Sequence, residues 1–570
     1  MLEQTERKFR RDPKFQEAYR DFMHQYEHLG HMTVACDDAE ATSQPCYLPH
    51  HGVLRESSAT TKLRVVFNGS ALGSSAGSLN QFLMTGANLL PALADVLLRW
   101  RRHRFAVAAD IEKMYRQIDV DSRDRDFQRI LWRGNSESEI REFQLNTVTY
   151  GLSCAPFLAI RTLRQLADDD GTAWPLAAAA LIKDTYMDDV LTGGPTIEAA
   201  REIRLQLTLL CRAGGFPLRK WSASDPAILD GISDEDLLRR EPLWWLPSEG
   251  HLTLGLRWLP CRDSFSFAAP RLPLEIISRR SVLSLAARMF DPLGWLAPAT
   301  SLAKIWIQST WLLGIDWDAP LPEAHALRWR SYHSEMSILE DIRVSRWMGC
   351  GEAETTSVLH GFADASERAF AAVVYLRSAA PSGEVKVRLL AAKTKVAPLK
   401  PVTLPRLELC ASALLAKFTA HLREVLCLRE PPVLWSDSTV TLGWIQGHPS
   451  QWKTYIANRV SEIQTSVPDA IWRHIPGRDN PADCASRGLL PAELRDHGLW
   501  WTGPSWLCRA SEEWPAPGSA AEPSDLPERR THAHVSRAGD AGAPEDEMLT
   551  RFSDLGRLCR VTAWCLRWRS

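Results

Sequence analysis

The sequence lacks the cysteine and histidine spacings that mark a structural zinc site. Its 570 residues include 12 cysteines, but none form a C-x-x-C pair and none stand beside histidines at zinc-ligand spacing. No signal peptide is recognisable at the N-terminus. We therefore expect free thiols in a reducing compartment, which argues against a zinc finger and against a disulfide-stapled scaffold.

Long apolar runs, tandem repeats and a net charge of one sign are also missing. The most apolar stretch, "WPLAAAALI" at 174–182, is too short to cross a membrane. The formal net charge is −2, so no global basic field indicates nucleic-acid binding. Cations are instead clustered locally, as in "LLRWRRHRF" (97–105) and "LRKW" (218–221). Such clusters either line a phosphate-binding groove or form solvated helix faces.

The composition is that of a globular chain, and its length indicates three to four domains. Residues 1–30 read as a charged helix, and "KLRVVFNGSA" reads as a strand running into a turn. From about residue 356 the order of predicted elements is β-β-β-α-β-α, which indicates a mixed α/β unit. Residues 511–548 are rich in Pro, Gly, Ala, Ser and charge, so they are predicted to be a flexible linker.

A pair of adjacent carboxylates, Asp188 and Asp189, lies in "LIKDTYMDDVLTGG", which is predicted to be a hairpin over 181–192. Adjacent aspartates repel each other and lose hydration, which a divalent cation can offset. Asp110 ends the apolar strand "FAVAAD" and can face the same pocket. Three carboxylates can hold two Mg²⁺ ions about 3.5–4 Å apart, the geometry of in-line phosphoryl transfer. A bare Asp-Asp pair, by contrast, is usually a polar β-turn.

This pair is not bare, because "YMDD" follows "AADIEKMYRQI" and "TYGLSCAPF" and the set resembles the palm of reverse transcriptases. The resemblance implies that Asp110, Asp188 and Asp189 are the metal ligands. It also implies that Tyr115 is a steric gate that stacks under the deoxyribose and excludes a 2′-hydroxyl. The other implied substrate contacts are Lys62 and Arg64 on the triphosphate, Gly151 and Pro156 in the template–nucleotide pocket, Tyr186 and Met187 in the motif, and Lys220 beside it. "LTLGLRWLP" is the implied primer-grip hairpin.

Four further acids stand in the predicted α/β unit, on strand ends and on helices that can face them. They are Asp364, Glu408, Asp437 and Asp483. Taken singly, each is a helix cap or a solvated residue. Their order on this strand and helix pattern resembles ribonuclease H, which implies a second pair of metal ions and a role for His474 in product departure. Both sites would then use two Mg²⁺ or Mn²⁺ ions each.

Flanking phrases such as "FDPLGWLAP", "TLPRLELCASALLA" and "NPADCASRG" resemble the Pol polyprotein of BEL/Pao-type long-terminal-repeat retrotransposons. The resemblance implies an α/β and α+β multidomain fold, a fingers, palm and thumb polymerase followed by a ribonuclease H-like mixed-sheet domain. The expected segments are a helical lead-in (1–47), fingers and palm (48–235), thumb or connection (236–345), ribonuclease H-like domain (346–500), flexible linker (501–548) and a helix leading toward a missing integrase (549–570).

Three functions remain open at this point. The first is an RNA-directed DNA polymerase with ribonuclease H activity, whose partners would be an RNA template, a DNA primer, RNA–DNA hybrid, deoxynucleoside triphosphates and other Pol or Gag products. The second is a truncated or host-retained copy that only binds nucleic acid or protein. The third, an aspartic peptidase, lacks the D-[ST]-G motif of that class. The seven intact acids favour the first, for which we expect a cytoplasmic location, in virus-like particles or with access to the nucleus.

Overall fold

The computed structural model describes residues 2–35, 45–54, 63–73, 77–135, 137–238, 243–245, 256–269, 276–350, 355–516, 526–530 and 554–567. Its first half contains helices α1–α7 and strands β1–β9. They are α1 Leu2–Arg11, α2 Pro13–His28, β1 Met32–Val34, β2 His50–Leu54, β3 Leu63–Phe67, α3 Leu79–Phe82, α4 Leu93–Arg102, β4 Phe105–Ile111, β5 Arg129–Trp132, β6 Arg141–Leu145, α5 Ala155–Asp170, α6 Pro175–Lys183, β7 Thr185–Tyr186, β8 Asp189–Gly194, α7 Ile197–Ala213 and β9 Leu218–Ala223.

The second half contains the remaining strands and helices. They are β10 Leu243–Trp245, β11 Leu256–Leu259, β12 Ser264–Phe267, α8 Arg279–Ala287, α9 Ala297–Thr310, α10 Glu323–Glu335, β13 Arg343–Ser345, β14 Thr356–Ala365, β15 Ala369–Ala379, β16 Val385–Val396, α11 Leu404–Val425, β17 Val433–Ser436, α12 Thr439–Gln446, α13 Thr454–Ser466, β18 Ile471–His474, α14 Ala482–Arg487, α15 Pro491–Asp496, α16 Gly498–Thr502 and α17 Leu555–Arg567. None of the described helices is both long and apolar enough to span a bilayer.

The N-terminal third forms an aromatic core around two small sheets. Asp12 caps α2 by accepting a hydrogen bond from the Phe15 amide at 3.0 Å, which starts the helix where a proline follows. The rings of α1 and α2 pack against β2–β3 and against the sheet β1-β6-β5. The segment 1–47, predicted as a helical lead-in, also contains β1, which pairs with β6. This segment is therefore part of the N-terminal body.

The palm is the four-stranded sheet β7-β8-β4-β9. Successive residues of β4 face opposite sides, as in any strand. Val107, Ala109 and Ile111 pack in one core with α5, α6 and α7, whereas Ala106 and Ala108 pack in another with α4. This alternation places Asp110 at the end of β4, in register with Asp189 of β8. The hairpin predicted from residue 181 begins at 185 instead, because the alanine-rich run before it forms α6.

The C-terminal body is a five-stranded sheet of order β16-β15-β14-β17-β18. Strands β14, β15 and β16 are antiparallel, while β17 and β18 run parallel to β14. Helix α11 packs on β14 and β15, and α14 and α9 also contact this sheet. The predicted order of strands and helices from residue 356 is the observed one.

The two halves share one apolar core instead of meeting at a loose interface. Trp100 of α4 is fully buried and lies edge-on to Trp258 of β11, with ring centroids 4.7 Å apart. Phe265 of β12 contacts both Trp100 and Trp295. The Trp295 indole then donates to the Leu390 carbonyl of β16 at 3.0 Å. Residues 346–500 are therefore not an independent unit, since their core continues through residues 256–345 into the palm.

Two buried arginines cross this seam. Arg101 is fully buried and donates to the carbonyls of Leu389 and Leu390 at 3.1 Å and to that of Arg346 at 3.1 Å. Arg346, also fully buried, donates to the Trp100 carbonyl at 2.8 Å and pairs with Asp263. Of the cations in 97–105, Arg101 therefore neither lines a phosphate-binding groove nor lies on a solvated helix face. The guanidinium of Arg99 also has a partner within the chain, since it forms an ion pair with Asp184 at 2.9 Å.

The flexible linker predicted over 501–548 is wrong for the residues that the structure describes there. Trp506 and Trp514 contact the ring of Trp435, so residues 505–514 pack on the C-terminal sheet. Residues 526–530, which we name the C-terminal strap, are anchored by the buried side chain of Leu526. Pro, Gly and charge made this segment look unstructured, but scattered tryptophans and one leucine supply the apolar contacts that hold it.

Candidate active sites

The palm hairpin brings the first three aspartates together by backbone pairing. Asp189 lies opposite Asp110 in the antiparallel pair β4–β8, and the Ile111 amide donates to the Asp188 carbonyl at 2.7 Å. The turn is tight enough to force Met187 to a φ of 56°, which is uncommon for a residue with a side chain. The "YMDD" turn thus presents its two aspartates to the end of β4.

The pKa values of Asp188 and Asp189 are raised because the carboxylates are desolvated and lie close together. The surrounding protein partly desolvates the Asp188 carboxylate and raises its pKa, and repulsion from Asp110 adds to this. Asp188 lies at the tip of the turn, where part of the residue remains exposed. Burial raises the pKa of Asp189 well above its ordinary value, with repulsion from Asp188 and Asp110 adding to it. Such a triad favours the binding of cations.

Lys220 supplies one of these cations. Its ammonium lies 2.9 Å from the Asp110 carboxylate, and its backbone has a φ of 53°. Burial alone would lower the pKa of Lys220, but the charge of Asp110 and of the two neighbouring aspartates raises it overall. One ammonium cannot balance three carboxylates, so the chemistry of this donor set fits divalent ions as well.

Left-handed backbone is concentrated at this site. Of the described residues other than glycine, six have a positive φ, and Lys113, Met187 and Lys220 are three of them. All three lie within three residues of a palm aspartate or form an ion pair with one. Strained backbone of this kind persists where the surrounding structure enforces it, typically at functional sites.

The other implied substrate contacts surround the triad unevenly. Tyr115 is half-buried, and burial, with Asp188 nearby, raises its pKa to about 12. Arg64 is exposed on β3 and its charge acts on Asp188. Pro156 is exposed at the start of α5, and Tyr186 is half-buried on β7. Lys62 lies outside the described residues, as does the first part of the implied primer-grip hairpin, residues 252–255.

Gly151 joins the palm to the β2–β3 hairpin. Its φ is +100°, and a Cβ there would stand 2.2 Å from the Phe67 carbonyl oxygen, so only glycine fits. The Asn80 amide donates to the Gly151 carbonyl at 3.0 Å and its oxygen accepts from the Ser153 amide at 2.9 Å. Asn80 was not singled out in the sequence, because an isolated asparagine in a one-turn helix carries no pattern.

The second carboxylate group lies at one edge of the C-terminal sheet. Asp364 is near the end of β14, Asp437 directly follows β17, and Glu408 is in the second turn of α11, which packs on β14. One ligand oxygen from each of the three lies within 4.8 Å of the others. Among the described residues no other trio of acidic, histidine or cysteine ligands is this close.

Burial and mutual repulsion dominate the electrostatics of these carboxylates. Burial, with repulsion from Asp364 and Asp437, raises the pKa of Glu408 to about 9. Burial likewise raises the pKa of Asp364 to about 7, and it also raises that of Asp437. Glu408 Oε2 and Asp437 Oδ1 are buried without a hydrogen-bond donor. Hard oxygen ligands left without partners in this way fit Mg²⁺ or Mn²⁺.

Asp483 and His474 complete the predicted set at its rim. Asp483 lies in the first turn of α14, and its charge raises the pKa of Asp364, Glu408 and Asp437. Arg487 forms an ion pair with Asp483 from one turn later. His474 ends β18 in register with Ser436, the residue before Asp437, and its charge acts on Asp437.

Two polar neighbours of this group were missed in the sequence. The Ser486 hydroxyl donates to the Asp364 carboxylate, and the buried Asn480 amide donates to the Ala363 carbonyl at 3.0 Å. Both belong to "NPADCASRG", so the phrase fixes the loop that carries Asp483 as well as supplying the acid itself. The phrase pointed to this loop in the sequence, but it did not distinguish the acid Asp483 from the hydrogen-bonding residues Asn480 and Ser486.

The raised acidities predict how stability responds to pH without metal. The folded chain favours protonated Glu408, whose ordinary pKa is 4.5 and whose pKa here is about 9. Its contribution to the free energy of unfolding is therefore complete below about pH 4.5 and is lost as pH rises through about 9. In EDTA, the Tm of the wild type relative to that of Glu408→Gln should fall steadily between those pH values.

Added Mg²⁺ should reverse this loss, because an ion that binds only the folded, ionised site stabilises it. The Tm gain on adding Mg²⁺ should therefore grow with pH in the wild type and be smaller in Glu408→Gln. A Tm difference between the two proteins that does not depend on pH would show that Glu408 is ionised throughout.

One protein family matches part of the chain. Residues 278–438 match the family described as "Pao retrotransposon-like RNaseH-like domain". The match begins before the predicted boundary at 346, and the structure explains this, since α9 packs on β16. No curated protein matches the chain.

Solved structures extend the comparison to the palm. A foamy viral protease-reverse transcriptase in complex with RNA/DNA hybrid has a TM-score of 0.50 at 11% identity, covering 81% of this chain and 54% of that one. A foamy viral protease-reverse transcriptase dRH in complex with double-stranded DNA has a TM-score of 0.48 at 13% identity, covering 79% of this chain and 68% of that one. This chain thus spans about half the length of the first. The expected fold class is confirmed: a mixed α/β multidomain chain that resembles a retroviral reverse transcriptase with a ribonuclease H-like domain.

Proposed function

We propose that this chain is an RNA-directed DNA polymerase that also hydrolyses the RNA strand of the hybrid it makes. The observation that carries the proposal is the presence of two separate carboxylate groups, one on the palm hairpin and one at the edge of the C-terminal sheet. Both groups contain carboxylates with raised pKa values. In the second group, ligand oxygens of Asp364, Glu408 and Asp437 lie within 4.8 Å of one another. A module that only binds nucleic acid or protein would have no need of either.

In the palm, Asp110, Asp188 and Asp189 would hold the metal ions, which when bound supply an activated primer hydroxyl and charge neutralisation at the triphosphate. Lys220 holds Asp110 in place from the neighbouring strand β9. Arg64 on β3, whose charge acts on Asp188, would contact phosphate oxygens, and the Met187 turn would hold the two hairpin aspartates beside Asp110. The residues of the chain thus position substrate and ions and require no covalent intermediate.

In the C-terminal sheet, Asp364, Glu408, Asp437 and Asp483 would hold the ions that activate water against a phosphodiester. Ser486 orients Asp364 through its hydroxyl, and Arg487 keeps Asp483 at the rim. His474 is placed to reach the departing strand from the end of β18.

The finer identity belongs to the same proposal. We infer that the chain derives from the Pol polyprotein of a BEL/Pao-type retrotransposon, which the matched description of residues 278–438 supports without distinguishing among such elements. Its partners would be RNA template, DNA primer, RNA–DNA hybrid and deoxynucleoside triphosphates. The location would be cytoplasmic, in particles with other Pol and Gag products. The decisive experiment is primer extension on an RNA template by the purified chain with Mg²⁺ or Mn²⁺.

Sugar selection tests the assignment of Tyr115. The ring is half-buried beside Asp188, so removing it should open space for a 2′-hydroxyl. Tyr115→Ala should raise the ratio of ribonucleotide to deoxynucleotide incorporation by about tenfold or more, equivalent to roughly 1.4 kcal/mol of discrimination. Tyr115→Phe keeps the ring and should leave the ratio near that of the wild type. Single-nucleotide extension with each triphosphate measures it, and equal ratios in all three proteins would remove Tyr115 from this role.

A further inference from the structure

Two cations lie at the N-terminal ends of two helices on the C-terminal body. Arg406 lies in the first turn of α11, and Lys453 is the residue at which α13 is capped. The N-terminus of a helix carries partial positive charge, so cations placed there are disfavoured unless an anion joins them. The N-terminal ends of α11 and α13, together with Arg406 and Lys453, therefore form a surface that attracts anions.

An anion from the chain itself takes this position. Glu528 of the C-terminal strap accepts a hydrogen bond from Arg406 Nε at 3.0 Å, and its carboxylate is 3.7 Å from the Lys453 ammonium. Among the described residues, Glu528 is the only acidic ion-pair partner of either cation. Its side chain is 19% exposed, so the carboxylate is largely removed from water.

The strap is fixed to the surface at several points besides this carboxylate. The Lys453 amide donates to the Glu528 carbonyl at 2.8 Å, and the Trp444 indole donates to the Pro527 carbonyl at 2.9 Å. Leu526 fills the space above Gly443, where a Cβ would lie 2.7 Å from its methyl carbon. The strap is therefore seated by its backbone and by Leu526 as well as by its charge.

Glu528 adopts this position at a conformational cost. Its φ is 64°, a left-handed conformation that glycine adopts without strain and that glutamate does not. A strap needed only as a cover would be better served by glycine here. Compared with glycine, glutamate at this position supplies a carboxylate that pairs with Arg406 and Lys453.

We propose that Arg406 and Lys453 form a phosphate-binding site for the backbone of the nucleic-acid duplex, and that Glu528 occupies this site until a phosphate displaces it. Arg406 precedes Glu408 by two residues on α11, which places them about 200° apart around the helix. The site therefore holds a phosphate other than the one that is cut. Both guanidinium groups that lie over Tyr455, those of Arg406 and Arg459, are oriented by that ring.

The proposal rests on the hybrid-binding role proposed above, and it is tested by binding alone. Anisotropy of a short labelled RNA–DNA hybrid is measured with the full chain in EDTA, which prevents cleavage, between about 50 and 200 mM salt. Glu528→Gly removes the carboxylate and relieves the strained φ, so the strap backbone stays seated. It should bind the hybrid about five to ten times more tightly than the wild type, because no internal anion competes for the two cations.

Four further variants test whether this gain in affinity comes from the strap carboxylate. Arg406→Gln should reduce the slope of log affinity against log salt by about one, and in combination with Glu528→Gly it should erase the gain. Leu526→Ala loosens the strap without a change of charge and should also tighten binding. Glu462→Gln breaks the exposed pair with Lys417 elsewhere on α13 and should have no effect.

Unchanged affinity in both Glu528→Gly and Leu526→Ala, with a wild type that binds the hybrid in a salt-dependent way, would overturn this site and leave the proposed function intact. Absence of hybrid binding in every protein would overturn both. Weaker binding by Leu526→Ala together with a lower Tm and no gain in Glu528→Gly would make the strap a structural cover only.

Discussion

Primer extension on an RNA template should fall by about three orders of magnitude in Asp188→Asn, because loss of a metal ligand removes several kcal/mol of transition-state stabilisation. The substitution keeps the shape of the side chain at the turn beside Met187 and relieves its repulsion with Asp110. The Tm should therefore stay the same or rise. Extension of a labelled primer and thermal unfolding of the same preparation measure the two effects.

The matched control is Asp168→Asn, the same chemical change at an exposed position on α5. It should extend primers like the wild type. Affinity for primer–template should be nearly unchanged in both variants, and hydrolysis of the RNA strand should persist in both. An Asp188→Asn protein that extends primers at the wild-type rate would remove the metal-binding role from the palm hairpin.

The second large effect is expected at the C-terminal sheet. Asp437→Asn should abolish degradation of labelled RNA in an RNA–DNA hybrid, by about three orders of magnitude, while DNA synthesis continues. Asp437 Oδ1 is buried without a hydrogen-bond donor, and its amide replacement removes one of the negative charges that would hold the ions. The A-like shape and 2′-hydroxyl of the RNA strand make the hybrid the substrate of choice.

Asp496→Asn is the control for this site, since Asp496 is exposed and paired only with its neighbour Arg495. It should cut the hybrid at the wild-type rate. The reciprocal pattern, in which Asp188→Asn cuts but does not extend and Asp437→Asn extends but does not cut, would separate the two sites. A wild type that synthesises DNA but never cuts the hybrid would reduce the C-terminal body to a binding module.

The carboxylates of both groups could be located from sequence because each follows a recognisable strand or helix. Asp110 and Asp437 come at the ends of short apolar runs, where a strand side chain meets the edge of a sheet. The turn at Asp188 has two apolar flanks that pair. Local pattern therefore determined which acids meet, and the structure adds their separations and acidities.

Features that depend on distant segments could not be read in this way. Arg101 sits in a run of cations that looks solvated, yet it is buried against β16, nearly three hundred residues away in the chain. Lys220 was expected beside the palm site, but the sequence did not reveal that it pairs with Asp110. The strap lies in a segment whose composition predicts disorder, and its binding depends on distant residues such as Gly443, Trp444 and Lys453.

The two buried arginines at the seam have a consequence for the modularity of the chain. Arg101 lies on α4 and donates to backbone carbonyls of β16 across the seam, whereas Arg346 donates to the Trp100 carbonyl and also pairs with Asp263. A gene truncated between them would leave a guanidinium group in an apolar interior with its acceptors missing, a cost of several kcal/mol. The segments on the two sides of this seam therefore cannot be exchanged as cassettes by recombination there, and changes on the two sides must be inherited together.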